Sequence, residues 1–64
     1  MKIHLQDGTA RNFGGGPARV SEVLLALDLN RAAVIVSRNG RVIPEDTILD
    51  GDEEIRVIRV SHGG

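Results

Sequence analysis

The sequence predicts an α+β fold: one mixed sheet of four to five strands, covered on one face by one helix. Three observations predict it. Met1, Ile3 and Leu5 alternate with Lys2, His4 and Gln6, the period of a half-buried strand. Val20, Val23, Leu24 and Leu27 then fall on one apolar stripe at helical spacing. Short β-branched runs follow at Val34-Ile35-Val36 and across residues 55–60. A single amphipathic helix must bury its stripe against one sheet face, which gives a layered domain.

The elements follow in order. Asp7-Gly8 after the first strand is a two-residue hairpin signal, and a second strand is expected at residues 9–13. Gly14-Gly15-Gly16-Pro17 breaks it. Pro17 suits the first turn of a helix, where a missing N–H costs nothing. Asn30 is placed to close that helix after Leu29 in a left-handed conformation. Val34-Ile35-Val36 reads as a buried strand, Asn39-Gly40 as a second tight turn, and Arg41-Val42-Ile43 as the returning strand. Pro44 ends it and marks a sheet edge. Residues 45–52 read as a loop, with Ile48 and Leu49 as core anchors. Residues 55–60 form the last strand. Placed in the sheet centre, parallel to the first strand, it makes the sheet mixed, and central strands lose clean alternation. The domain spans residues 1–60, and 61–64 form a flexible carboxy-terminal tail.

Composition narrows the function. With 64 residues there is one domain, and little room for a buried active site with supporting groups. The chain has no cysteine, which removes disulfides, thiolate metal sites and a cysteine nucleophile together. A small secreted domain usually needs such staples, so a cytoplasmic setting is expected. No apolar run is long enough to span a membrane. Net charge is −1, so no basic field draws the chain to nucleic acid. Phe13 is the sole aromatic, and the core must be aliphatic.

The main chemical signal is Gly63-Gly64. Composition alone gives two terminal glycines in about 0.5% of chains, and a frayed tail is the plain alternative. The position directly after the last strand favours function. A glycine carboxylate has no side chain beside it and a permissive backbone, so it can thread a narrow channel. Four extended residues reach about 13 Å, at roughly 3.3 Å each. The tail, with His62 and Gly63 before Gly64, can therefore enter a deep site while the domain docks outside. An ionised carboxylate is a poor electrophile until activated. Adenylation by a partner holding ATP supplies a leaving group, after which sulfide, persulfide or an amine can attack.

The other motifs read blandly. Gly14-Gly15-Gly16-Pro17 lacks the Gly-Lys-Ser/Thr of a phosphate loop and is a plain connection. His4 and His62 have no partner at ligand spacing, so no metal is expected. Asp50, Asp52, Glu53 and Glu54 lack the full calcium-loop spacing and read as a solvated turn. With Ile55 and Val57 on the helix side, Ile58 and Val60 point away from it. Flanked by Arg56 and Arg59 beside the tail, they form a candidate docking patch, ordinary packing between strands being the alternative.

Val34-Ile35-Val36, Asn39-Gly40-Arg41-Val42-Ile43-Pro44-Glu45-Asp46, Gly51-Asp52, Ile55-Arg56-Val57-Ile58 and Gly63-Gly64 together resemble the ThiS/MoaD family of sulfur carriers and the related small archaeal modifier proteins. The similarity spans essentially the whole chain and is strongest from Val34 to Gly64. It implies a β-grasp, ubiquitin-like fold and a chain that is a carrier rather than an enzyme. It implies activation by a ubiquitin-activating-type adenylating enzyme that uses ATP, with no cofactor held by this chain. The product is a thiocarboxylate on Gly64. The sulfur acceptor is then a thiazole synthase, a molybdopterin synthase large subunit or a tRNA thiolation enzyme. The chain alone is expected to be a monomer. A modifier conjugated to lysines, and a non-covalent β-grasp binding module, are the alternatives.

Overall fold

The computed structural model describes residues 1–60; the predicted tail at 61–64 lies outside the described residues. Among the described residues nine short elements follow one another: β1 (Lys2–His4), β2 (Ala10–Asn12), β3 (Ala18–Arg19), α1 (Val20–Ala26), a 3₁₀ turn (Arg31–Ala33), β4 (Val34–Arg38), β5 (Arg41–Ile43), β6 (Ile48–Leu49) and β7 (Glu54–Arg59). Five strands form one sheet in the order β2-β1-β7-β4-β5, and β3 pairs with β6 in a separate two-stranded ladder. β7 is central. It runs parallel to β1, with Ile3 opposite Ile55, and antiparallel to β4, with Val36 opposite Val57. This is the expected mixed sheet under one helix, a β-grasp.

The core lies between α1 and one face of that sheet. Ile3, Val20, Val23, Leu24, Val36, Leu49, Ile55 and Val57 are buried, together with Ala18. It is aliphatic, as the composition requires, and Phe13 only packs against its border.

Four local expectations are corrected. The helix begins at Val20, not at Pro17, because Ala18 and Arg19 are extended and pair with Leu49 and Ile48. Its first N–H groups, the unpaired donors of any helix start, go to the connection after β5: Val20 N–H to Thr47 O at 3.0 Å and Ser21 N–H to Glu45 O at 2.8 Å. The supposed loop at 45–52 thus contains β6 and caps the helix. Within it only Leu49 is a core anchor; Ile48 is 59% exposed, since neighbours along a strand face opposite ways.

The helix also ends early, at Ala26, with Asp28 rather than Asn30 left-handed at φ 58°. Leu29 N–H bonds Leu24 O at 2.9 Å and Asp28 N–H bonds Leu25 O at 3.0 Å, the paired closure of a Schellman motif. Asn30 instead caps the 3₁₀ turn, its Oδ1 accepting from Ala32 N–H at 3.0 Å. The first hairpin is not the two-residue type. Leu5 N–H bonds Thr9 O at 2.8 Å, and only Gly8 is at positive φ. The loop is therefore Gln6-Asp7-Gly8, a turn followed by a left-handed glycine. Asn39 and Gly40 are both at positive φ, at 54° and 80°, so the second hairpin has the expected two-residue form.

Candidate functional site

Everything the sequence places at the carboxy terminus hangs from β7. His62, Gly63 and Gly64 lie outside the described residues. The root of that segment is described. β7 is hydrogen-bonded on both flanks, by β1 and by β4. At its end Val60 N–H donates to Ala33 O at 2.8 Å, and Arg59 N–H donates to the Gln6 side-chain carbonyl at 2.6 Å.

Alternation along β7 sorts the predicted docking residues onto two faces. Ile55 and Val57 face the helix and are buried. Ile58 stands on the open face, 39% exposed. Arg56 shares that face and is exposed, and Val60, half-buried, has the same parity. Arg59 has the opposite parity. It lines a groove on the helix side with Leu5, Gln6, Asp7, Leu29, Val34 and Val57. The structure therefore brings Ile58, Arg56 and Val60 together and separates Arg59 from them.

Two residues join Ile58: Ile35, expected within a buried strand although only Val36 of that run is buried, and Val42, expected simply as part of the returning strand. Ile35 lies directly opposite Ile58 across β4 and β7 and is 37% exposed. Val42, on β5 opposite Ser37, is on the same open face and is 70% exposed. Alternation within Val34-Ile35-Val36 was the signal that could have found Ile35. Once Val36 faces the helix, Ile35 cannot.

Polar groups occupy the other half of the open face. His4, Arg56 and Ser37 lie side by side across β1, β7 and β4. His4 Nε2 pairs with the Glu54 carboxylate, and that contact, as hydrogen bond and charge, holds the Glu54 carboxyl below its ordinary value. Among the described residues the ion pairs are His4–Glu54, Arg31–Glu45 and Arg38–Glu53. Arg56 and Arg59 are exposed and form no ion pair with another described residue. Among the described residues no three His, Cys, Asp or Glu side chains gather in a way that could hold a metal ion. No described helix is long and apolar enough to cross a membrane. The described residues bring no nucleophile together with a base. They offer an apolar patch beside the exposed Arg56, on the strand that leads into the chain's last residues.

The comparisons agree with this anatomy. No curated protein matches the chain. A crystal structure of the thiamine biosynthesis protein ThiS from Geobacter metallireducens superposes with a TM-score of 0.67 at 24% identity, over 100% of both chains. A solution NMR structure of a thiamine biosynthesis protein from the same organism superposes with a TM-score of 0.64 at 23% identity, over 100% of this chain and 88% of that one. At such identities these likenesses speak for the fold. The ThiS family itself matches residues 7–64, nearly the whole chain and including the Gly63-Gly64 end. The chain therefore belongs to the ThiS family of ubiquitin-like sulfur carriers.

Proposed function

We propose that this chain carries sulfur as a thiocarboxylate on Gly64. A carboxylate oxygen of Gly64 attacks the α-phosphorus of ATP held by a ubiquitin-activating-type enzyme, and pyrophosphate leaves. Sulfide attacks the acyl carbon of the resulting adenylate, AMP leaves with the bonding pair, and the thiocarboxylate remains. The chain is the substrate of that enzyme and holds no cofactor itself. The observation that carries the reading is the family match running through Gly63-Gly64.

The fold supports it. The central strand is fixed on both flanks up to Val60, so the enzyme can grip a rigid body while the last residues enter its site. Ile58, Ile35 and Val42 form the docking patch, with Arg56 at its side; Val60 lies beside it, and Arg59 contacts the partner from the other face. His62 and Gly63 thread the channel. The two solved structures named above are of a thiamine biosynthesis protein, which favours a thiazole synthase as sulfur acceptor over a molybdopterin synthase or a tRNA thiolation enzyme. The test is pyrophosphate release by the activating enzyme of the same organism. The full chain is expected to support release and a chain lacking Gly64 to support none. Equal release with both chains contradicts the proposal.

A further inference from the structure

β1 ends at His4, opposite Arg56, and its main chain then turns away. Leu5 N–H donates to Thr9 O, and Leu5 O accepts from Gly8 N–H. β7 runs on for three more residues, to Arg59. On the β1 flank it has lost its neighbouring strand. There the Gln6 side chain takes over: its Oε1 accepts from Arg59 N–H at 2.6 Å. On the opposite flank the next amide, Val60 N–H, is taken by Ala33 O at 2.8 Å. Successive amides of a strand point to opposite neighbours, so the two bonds secure consecutive residues from two sides.

The turn does not need a glutamine at this position. Its chemistry is supplied by Asp7, whose Oδ1 accepts from Thr9 N–H and from the Thr9 hydroxyl, and by Gly8 at positive φ. Gln6 is exposed, and its side chain reaches a residue 53 positions away.

We propose that Gln6 is a positioning residue for the carboxy-terminal segment: its side-chain carbonyl fixes Arg59, at the end of the strand that precedes that segment. The proposal rests on the reading of Gly64 as the activated group. Any four residues reach about 13 Å at most, so the position of their origin decides which sites their end can enter. Freeing Arg59 leaves the end of β7 held from the β4 side alone, by the Val60 bond to Ala33, which widens the region the carboxylate can reach and dilutes it at the partner's site. The loss appears when the segment is ordered into the channel, hence in KM for this chain. Once it is seated, kcat is unchanged.

Gln6→Met keeps the side-chain length and removes the acceptor; Gln6→Glu keeps an acceptor. Amide hydrogen exchange and adenylation kinetics are measured on the full chain. In Gln6→Met, exchange at Arg59 is expected to rise roughly three- to ten-fold, the range a single hydrogen bond supports, with Ile55 and Val36 unchanged. KM is expected to rise by a similar factor at constant kcat, and Gln6→Glu to restore both. Unchanged exchange at Arg59, or raised exchange with unchanged KM, overturns the proposal. Gln6→Asn withdraws the carbonyl by one methylene and must behave as Gln6→Met does. If both variants unfold, Gln6 belongs to the fold and the proposal is overturned. A wild-type chain that is not adenylated sinks the function and this role together. A wild-type chain that is adenylated, with Gln6→Met indistinguishable from it, sinks this role alone.

Discussion

Ile48 and Leu49 are adjacent in β6, yet Ile48 is 59% exposed and Leu49 is fully buried. Truncating a buried leucine costs about 2–5 kcal/mol. A core of this size supplies roughly 3–5 kcal/mol in all. Leu49→Ala is therefore predicted to leave the chain largely unfolded at 25 °C, while Ile48→Ala shifts stability by about 0.5 kcal/mol or less. Urea titrations of the two variants check this, and equal losses would contradict the assignment. At the same scale, Glu53 binds its own turn and the β4–β5 hairpin at once. One carboxylate oxygen accepts from Asp50 N–H at 2.7 Å and the other pairs with Arg38 at 2.8 Å. The Asp50 bond first, then Arg38, hold the Glu53 carboxyl below its ordinary 4.5. A depressed folded value means stability that is present above the unfolded value and lost as pH falls through the folded one. Stability is predicted to fall as pH drops below about 4.5, and Glu53→Gln to flatten that limb. An unaltered acid limb in the variant would show that the Glu53 contacts add nothing.

At the scale of elements, the helix end shows how local chemistry settles a boundary. Asp28 occupies the left-handed position of the Schellman closure, where glycine is favoured and a negative charge near a helix C-terminus is not. Asp28→Gly is predicted to stabilise the protein by about 0.5–1 kcal/mol, read as a higher thermal midpoint; a lower midpoint would mean that the Asp28 side chain holds the turn. The sequence made the sheet legible, because β1 alternates at the period of a strand, β4 and β7 carry short β-branched runs, and Asn39-Gly40 fixes one register. It hid β3 and β6, which have two residues each, too few for any period to show. It pointed to Asn30; Asp28 tolerates the left-handed region as well, and only the bonds to Leu24 and Leu25 decide. The patch was half legible. Ile58 follows from alternation in β7, but Ile35 and Val42 require knowing that β4 lies between β7 and β5. Because Ile58 is on the open face, Ile58→Glu is predicted to keep the fold and to weaken engagement of the activating enzyme at least ten-fold, seen as a raised KM with an unchanged circular dichroism spectrum. Loss of the folded spectrum would assign Ile58 to packing between strands.

At the scale of the whole molecule, the two layers divide their work. The helix side holds the core, and every fully buried side chain belongs to it. The open sheet face leaves Ile35, Ile58 and Val42 to solvent beside Arg56. The strand shared by both faces is the one that continues into Gly63-Gly64. In the proposed function, presenting a carboxylate asks little of so small a scaffold: rigidity up to Val60 and side-chain-free residues beyond it suffice. The most direct measurement of this claim is the intact mass of the full chain after incubation with ATP, its activating enzyme and a sulfide source. The account predicts the exchange of one oxygen for one sulfur, located at Gly64 by fragmentation and absent when ATP is withheld. An unchanged mass while the enzyme consumes ATP, or sulfur located anywhere else in the chain, would contradict it.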